Sequence, residues 1–210
     1  MPGRLLILGA GGHGQAVADL AAECGWAVVG FADPAGPGSR ADVIGRDSDA
    51  ARLFREGKID GGIVGVGNTA LARRVELYEL LKASGISVPA LIHPKAVVSR
   101  SCQIGEGSVV FPGSVLGAGV RVGANAVIYS GVIAEHGCRI GAHAYLSPGV
   151  ILSGAVVVEA RAFLGSGAVV LPGLTVGKDA VVAAGAVVVT EVPAGETMIG
   201  MPARVRTSGA

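Results

Sequence analysis

The chain has 210 residues, enough for one or two domains. Half of it is hydrophobic but only 4% is aromatic, 35 residues are glycine and the net charge is +1, which argues against a nucleic-acid surface and for a repetitive fold built from small side chains. No apolar run approaches the roughly 18 residues of a membrane span, the start MPGRLLILGAGG breaks into glycines too early for a signal peptide, and an odd count of 3 cysteines argues against a disulfide framework, so the composition reads as reduced and cytoplasmic.

In chain order, residues 4–8 (RLLIL) predict a short apolar strand. The run Gly9-Ala10-Gly11-Gly12-His13-Gly14 follows, then a helix with Val17, Leu20, Ala21 and Cys24 on one face, closed by Gly25. A second strand over 27–32 ends at Asp33, and 34–38 forms a turn. Ser48 reads as the N-cap of a short helix through Glu56. A third strand over 61–66 ends at Gly67-Asn68. A helix from about Thr69 to Ser84 carries Leu71, Val75, Tyr78 and Leu81, and a last strand is expected over Val88–Leu91. Strands alternating with helices predict a small parallel sheet, a Rossmann-like α/β domain over residues 1–90.

The glycine run fits G-x-G-x-x-G between a strand and a helix, with Asp33 about twenty residues further on. Glycines there let backbone N–H groups approach phosphates at a helix N-terminus. About ninety residues is half of a full doubly wound fold, which holds one nucleotide better than two. The loop therefore reads as a nucleotide-sugar site, with a dinucleotide site and a purely structural tight turn as the alternatives.

From Ile104 the sequence falls into sixes: IGEGSV, VFPGSV, LGAGVR, VGANAV, IYSGVI, AEHGCR, IGAHAY, LSPGVI, LSGAVV, VEARAF, LGSGAV, VLPGLT, VGKDAV, VAAGAV. The first position is Ile, Val or Leu except at Ala134, and the fifth is small or aliphatic throughout. A hexapeptide period predicts a parallel β-helix over residues 91–210. Three hexads close one triangular coil, so residues eighteen apart stack on successive rungs roughly 4.8 Å apart. Cys102 and Cys138 then lie two rungs apart, roughly 9.6 Å, beyond the reach of a disulfide.

One hexad departs from the pattern. AEHGCR has Ala134 in first position and His136 in third, at a corner, where a side chain points away from the prism. One coil later Gly154 stands over His136 and leaves a notch beside the imidazole; an ordinary surface histidine is the competing reading. Cys138 falls in an inward position and reads as core. A three-sided prism with apolar faces and a groove-borne site calls for a partner edge, and a homotrimer is expected.

The order of parts, a Gly-rich start, LIHP, hexads carrying EH, and GMPAR near the end, resembles the bacterial nucleotide-sugar N-acetyltransferases (PglD-like) and their sialic acid O-acetyltransferase relatives. The resemblance implies a left-handed β-helix and acetyl-CoA as co-substrate. It implies that Gly11, Gly12 and His13 hold the diphosphate and sugar, that Asp33 holds base or ribose, and that Gly67 lies beside the sugar. It makes His136 the general base, with Glu135 beside it. Tyr145, Gly154, Ser166, Ala184 and Gly185 line the acetyl-CoA path, and no metal is called for. The relatives usually carry an acid directly after the base, where this chain has Gly137. They often carry a second acid after the Asp of the nucleotide site, where this chain has Pro34, and often a second His where this chain has Tyr145.

The chemistry asks for little more. An amine attacks the thioester, a base near neutral pH takes its proton, and the Gly154 N–H is placed to meet the oxyanion. The expected function is acetyl-CoA-dependent N-acetylation of a UDP- or GDP-linked amino sugar in glycan biosynthesis. The alternatives are O-acetylation of a sialic-acid-like sugar and a non-catalytic sugar-nucleotide-binding protein.

Overall fold

A computed structural model describes residues 3–40 and 42–206. The chain divides after Pro94 into two compact units.

The first unit is a parallel four-stranded sheet with the order β3-β2-β1-β4, in which β1 is Arg4–Leu8, β2 Ala27–Ala32, β3 Val43–Gly45 and β4 Gly61–Val64. Leu5, Leu6, Ile7 and Leu8 are all fully buried, as expected of a central strand covered on both faces. Its helices are α1 (Gly12–Glu23), α2 (Ala50–Arg55) and α3 (Leu71–Ala83). The short strand β3 falls in a polar stretch where the sequence predicts none. The third predicted strand stops at Val64, and Ser87 makes only an isolated bridge to Gly61.

Two local expectations are corrected. Ser48 does not cap the second helix: it lies inside a 3₁₀ turn, Asp47–Asp49. The Asp49 carboxylate caps that turn instead, accepting from the Arg46 N–H at 2.8 Å. On α3 the buried stripe is Arg74, Leu77, Tyr78 and Leu81, while Leu71 and Val75 are only half-buried. The stripe starts with an arginine, so an apolar count begins it one turn too early and on the wrong side.

The second unit is a parallel β-solenoid of about six coils. Its two-residue strands stack in register eighteen residues apart, for example Arg121↔Arg139, Val127↔Tyr145 and Ile133↔Ile151. The first hexad positions from Val110 to Val182 are all buried, and Ala134 is accommodated among them at 0% exposure. The fifth positions fill the corners. Ser108 and Ser114 are fully buried there, and their hydroxyls donate to the carbonyls of Gly123 and Tyr129 at 2.7 and 2.9 Å. Cys138 is core as predicted, its thiol donating to the Ser153 carbonyl at 3.1 Å.

The fourth hexad position turns each corner in the left-handed backbone region. Glycine serves most corners, and Asn125, His143, Ala155, Arg161 and Asp179 serve the rest. Four of these form one column on a single edge of the prism. Along it Asn125 Nδ2 meets His143 Nδ1 at 3.0 Å, and Arg161 pairs with Asp179 through two bonds of 2.6 Å. Another edge carries only glycine at this position: Gly113, Gly131, Gly149, Gly167 and Gly185.

Candidate active site

In the first unit the carboxyl ends of the parallel strands present the glycine loop, Asp33 and Gly67, the usual ligand end of such a sheet. The loop's glycines have two different jobs. Gly9 sits at φ +112°, and a Cβ on Gly14 would stand 2.0 Å from the Gly9 carbonyl oxygen, so these two are demanded by the turn. Gly11 and Gly12 are exposed, and a Cβ on either would meet nothing within 4 Å. The space over them is open to a ligand. Gly11 is the N-cap of α1, with no side-chain cap and no acid in the first turn, so the positive end of the helix faces that space uncompensated.

Charged groups flank the loop. Asp33 accepts from the N–H groups of Ala10 and Ala35 at 3.4 and 3.0 Å. Arg40 donates to the Ala10 carbonyl at 2.5 Å and to Asp42 at 2.8 Å, with its guanidinium 5.9 Å from the centroid of the Phe31 ring. A Cβ on Gly67 would lie 3.2 Å from that of His13, so the two predicted residues are neighbours.

Behind His13 lies Arg74, only 1% exposed, which the sequence reading missed. Its Nη1 donates to the Val66 carbonyl and faces His13 Nε2 at 3.4 Å. A guanidinium only donates, so in this pairing Nε2 is the acceptor, which favours the tautomer with its proton on Nδ1. Burial, and then the charge of Arg74, push the imidazole down to about 3. His13 is therefore a neutral side chain at physiological pH and a poor general base. The one signal in the sequence is an arginine at the i−3, i−4 and i−7 offsets of Leu77, Tyr78 and Leu81.

In the solenoid, His136 is exposed at the corner between strands Ile133–Ala134 and Arg139–Ile140. Its ring lies over Gly154: a Cβ built there would stand 2.6 Å from Cε1, 2.8 Å from Nε2 and 3.3 Å from Nδ1. The backbone pins the pair, since the Ala155 N–H donates to the His136 carbonyl at 2.8 Å. Glu135 is exposed beside it and, among the described residues, makes no hydrogen bond to the ring. Gly137 turns the corner at φ +72°.

The other expected cofactor residues lie elsewhere on the same prism. Ser166 and Ala184 stack on the all-glycine edge, where the Gly185 N–H donates to the Ser166 carbonyl at 2.9 Å; all three residues are exposed. Tyr145 is 4% exposed, in a ladder with ring centroids 5.9 Å from Tyr129 and 5.7 Å from Phe163. One chain thus brings together His136 and Gly154, and separately Ser166, Ala184 and Gly185. Tyr145 and His143 are on neither edge.

A sheet with a nucleotide-type loop followed by a hexapeptide solenoid defines a hexapeptide-repeat acyltransferase. Residues 4–79 match the PglD N-terminal domain, and residues 155–190 match the hexapeptide repeat of succinyl-transferase. No curated protein matches the chain. Among solved structures it is similar to PerB from Caulobacter crescentus in complex with CoA and GDP-perosamine, at 36% identity over 97% of both chains with a TM-score of 0.89. It is similar also to the acetyltransferase domain of PglB from Neisseria gonorrhoeae in complex with acetyl coenzyme A, at 34% identity over 98% of this chain and 100% of that one, TM-score 0.89. WeeI from Acinetobacter baumannii matches at 26% identity over 97% and 100%, TM-score 0.85. The chain belongs to the PglD-like family of bacterial nucleotide-sugar acetyltransferases.

Proposed function

We propose that the protein transfers acetyl from acetyl-CoA to the amine of a UDP- or GDP-linked amino sugar, with His136 as general base. The observation that carries this reading is the imidazole of His136 lying over the bare Gly154, exposed on an edge of the solenoid. It is supported by the CoA, acetyl-CoA and GDP-perosamine bound in the similar structures. The amine nitrogen attacks the thioester carbonyl and a C–N bond forms. The Gly154 N–H meets the oxyanion, the C–S bond breaks, and CoA leaves as thiolate. His136 takes the amine proton and returns it to the sulfur, so no covalent enzyme intermediate is needed.

The sugar nucleotide occupies the first unit, its diphosphate over Gly11, Gly12 and His13 at the end of α1, with Asp33 on the nucleoside side and Gly67 beside the sugar. The open space over both glycines and the uncompensated helix pole support this. Pro34 after Asp33 leaves the recognition of the base to other groups, and Arg40 over Phe31 and Arg46 on the Pro34 carbonyl are cations near that end of the loop.

Acetyl-CoA uses two edges. Gly154 is on the edge of His136, and Ser166, Ala184 and Gly185 are on the all-glycine edge of the same prism. A groove containing both forms when a second copy brings its edge alongside, and this supports a homotrimer. The cysteines Cys24, Cys102 and Cys138 are all free, which supports a reduced cytoplasmic compartment. Among the described residues no helix is long and apolar enough to cross a membrane.

The test is release of free thiol from acetyl-CoA with GDP-perosamine and with UDP-linked amino sugars as acceptors. Turnover that needs the amine supports the assignment. Release that is unaffected by acceptor, or seen only with a sialic acid, overturns it.

A further inference from the structure

We propose that Arg74 is a positioning residue of the nucleotide-sugar site: from beneath the loop it holds His13 in its Nδ1–H form and ties it to the chain entering Gly67. The inference rests on the reading that the sugar nucleotide binds at this loop. Arg74 is on the second turn of α3, His13 on the first turn of α1, and Val66 follows β4, so one guanidinium joins three elements at the ligand end of the sheet.

The arrangement is a built one. An arginine with 1% exposure is uncommon unless its charge is engaged. Its Nη1 meets the Val66 carbonyl, just before Gly67, and His13 Nε2 at 3.4 Å. Because the guanidinium only donates, a protonated imidazole would place two cationic donors face to face. Arg74 thereby adds to burial in keeping His13 neutral, and it selects the nitrogen that carries the proton. A Cβ built on Gly67 would lie 3.2 Å from that of His13, so holding His13 also keeps the diphosphate end and the sugar end of the site in register. Asp47, 7% exposed and accepting from Arg73 at 2.8 Å, anchors the neighbouring turn of α3 to the turn after β3.

The consequence is a ring that acts as a neutral donor. A phosphate oxygen needs a donor, and Nδ1–H is the donor this tautomer offers. Lysine in place of Arg74 keeps the charge but puts it on a flexible ammonium, so the two contacts that Nη1 makes are no longer fixed in a guanidinium plane.

The first experiment uses the unaltered protein: ¹⁵N NMR of the His13 ring between pH 5 and 9. A neutral ring with its proton on Nδ1 throughout is expected. A proton on Nε2, or an imidazolium forming near the usual pKa, overturns the proposal. The second measures steady-state kinetics with GDP-perosamine, and calorimetry with GDP and UDP. Arg74→Lys should raise KM for the sugar nucleotide about 10-fold, with kcat and the KM for acetyl-CoA changed less than about 2-fold. His13→Asn, whose amide nitrogen stands where Nδ1 stands, should retain more affinity than His13→Gln, whose amide nitrogen stands where Nε2 stands. An unchanged KM in Arg74→Lys, or the reverse order of Asn and Gln, overturns the positioning role. Failure of the site reading looks different. His13→Ala with an unchanged KM removes the ligand from the loop, and the positioning role with it, even where NMR finds the Nδ1 proton.

Discussion

His136 and Gly154 are eighteen residues apart and occupy the same column of the solenoid, with the imidazole in the volume that any side chain on Gly154 would need. The nearest approach of a built Cβ, 2.6 Å, is to the ring itself and not to backbone. The glycine therefore lets the ring lie down against the coil.

This makes the two residues kinetically linked. His136→Ala should lower kcat by roughly 10²–10⁴-fold, with little change in acetyl-CoA affinity. Gly154→Ala, and more so Gly154→Val, should also reduce kcat, because the imidazole must swing out to make space. Gly154 has no left-handed φ, so its backbone accepts alanine. The double variant His136→Ala/Gly154→Ala should be no worse than His136→Ala alone. Multiplicative losses in steady-state kinetics would show that the glycine acts independently of the ring.

His13 gives a pH-dependent contribution to stability. Its folded pKa is depressed to about 3 by burial and by Arg74, against roughly 6.5 in the unfolded chain. Between those values the unfolded state binds more protons, so stability rises with pH across the window and is fully present above about 6.5. Acidification from pH 7 to pH 5 should lower the urea midpoint of the wild type more than that of His13→Asn, by an energy of up to about 2 kcal/mol. Parallel pH dependence of the two midpoints would mean that the imidazole is not held neutral.

The solenoid core should resist enlargement. Ala162 is fully buried at a fifth hexad position, beside neighbours that are themselves at 0% exposure. Ala162→Leu should cost about 1–3 kcal/mol through overpacking, read as a fall in thermal midpoint. An unchanged midpoint would mean that the corner holds space for three further carbons.

The sequence carries the solenoid almost completely, because each inward position repeats a steric demand and an exact period of six is hard to mistake. The α/β unit is less legible. β3 is only three residues, Val43–Gly45, too short for alternation to register. Arg74 is harder still, since an arginine ordinarily marks the solvent side of a helix; here it extends the buried stripe of Leu77, Tyr78 and Leu81 into a polar site. In the solenoid, the eighteen-residue period places Gly154 over His136 but also separates the remaining residues. Ser166 is thirty residues beyond His136, one coil and two further faces, so it lies on a different edge. Tyr145 occupies an outward strand position, but neighbouring rings bury it, which depends on packing across several rungs.

That separation of edges gives the most demanding prediction. If each site takes His136 from one copy and the Ser166–Ala184–Gly185 edge from its neighbour, two inactive variants should complement each other. His136→Ala lacks the base but keeps an open glycine edge. Ala184→Phe keeps the base but fills the pantetheine path, where Ala184 is exposed and nothing in the prism's core depends on it. Mixed, unfolded and refolded together at equal concentrations, they form trimers in which a site is intact when its base comes from the second variant and its groove edge from the first. Random assembly with threefold symmetry gives that combination in about one quarter of sites. Recovery of about a quarter of wild-type kcat per site, with a trimer mass by light scattering, is the expected outcome. If the mixture stays as inactive as its components, or the wild type is a fully active monomer, the two edges do not share a site and acetyl-CoA runs along a single chain.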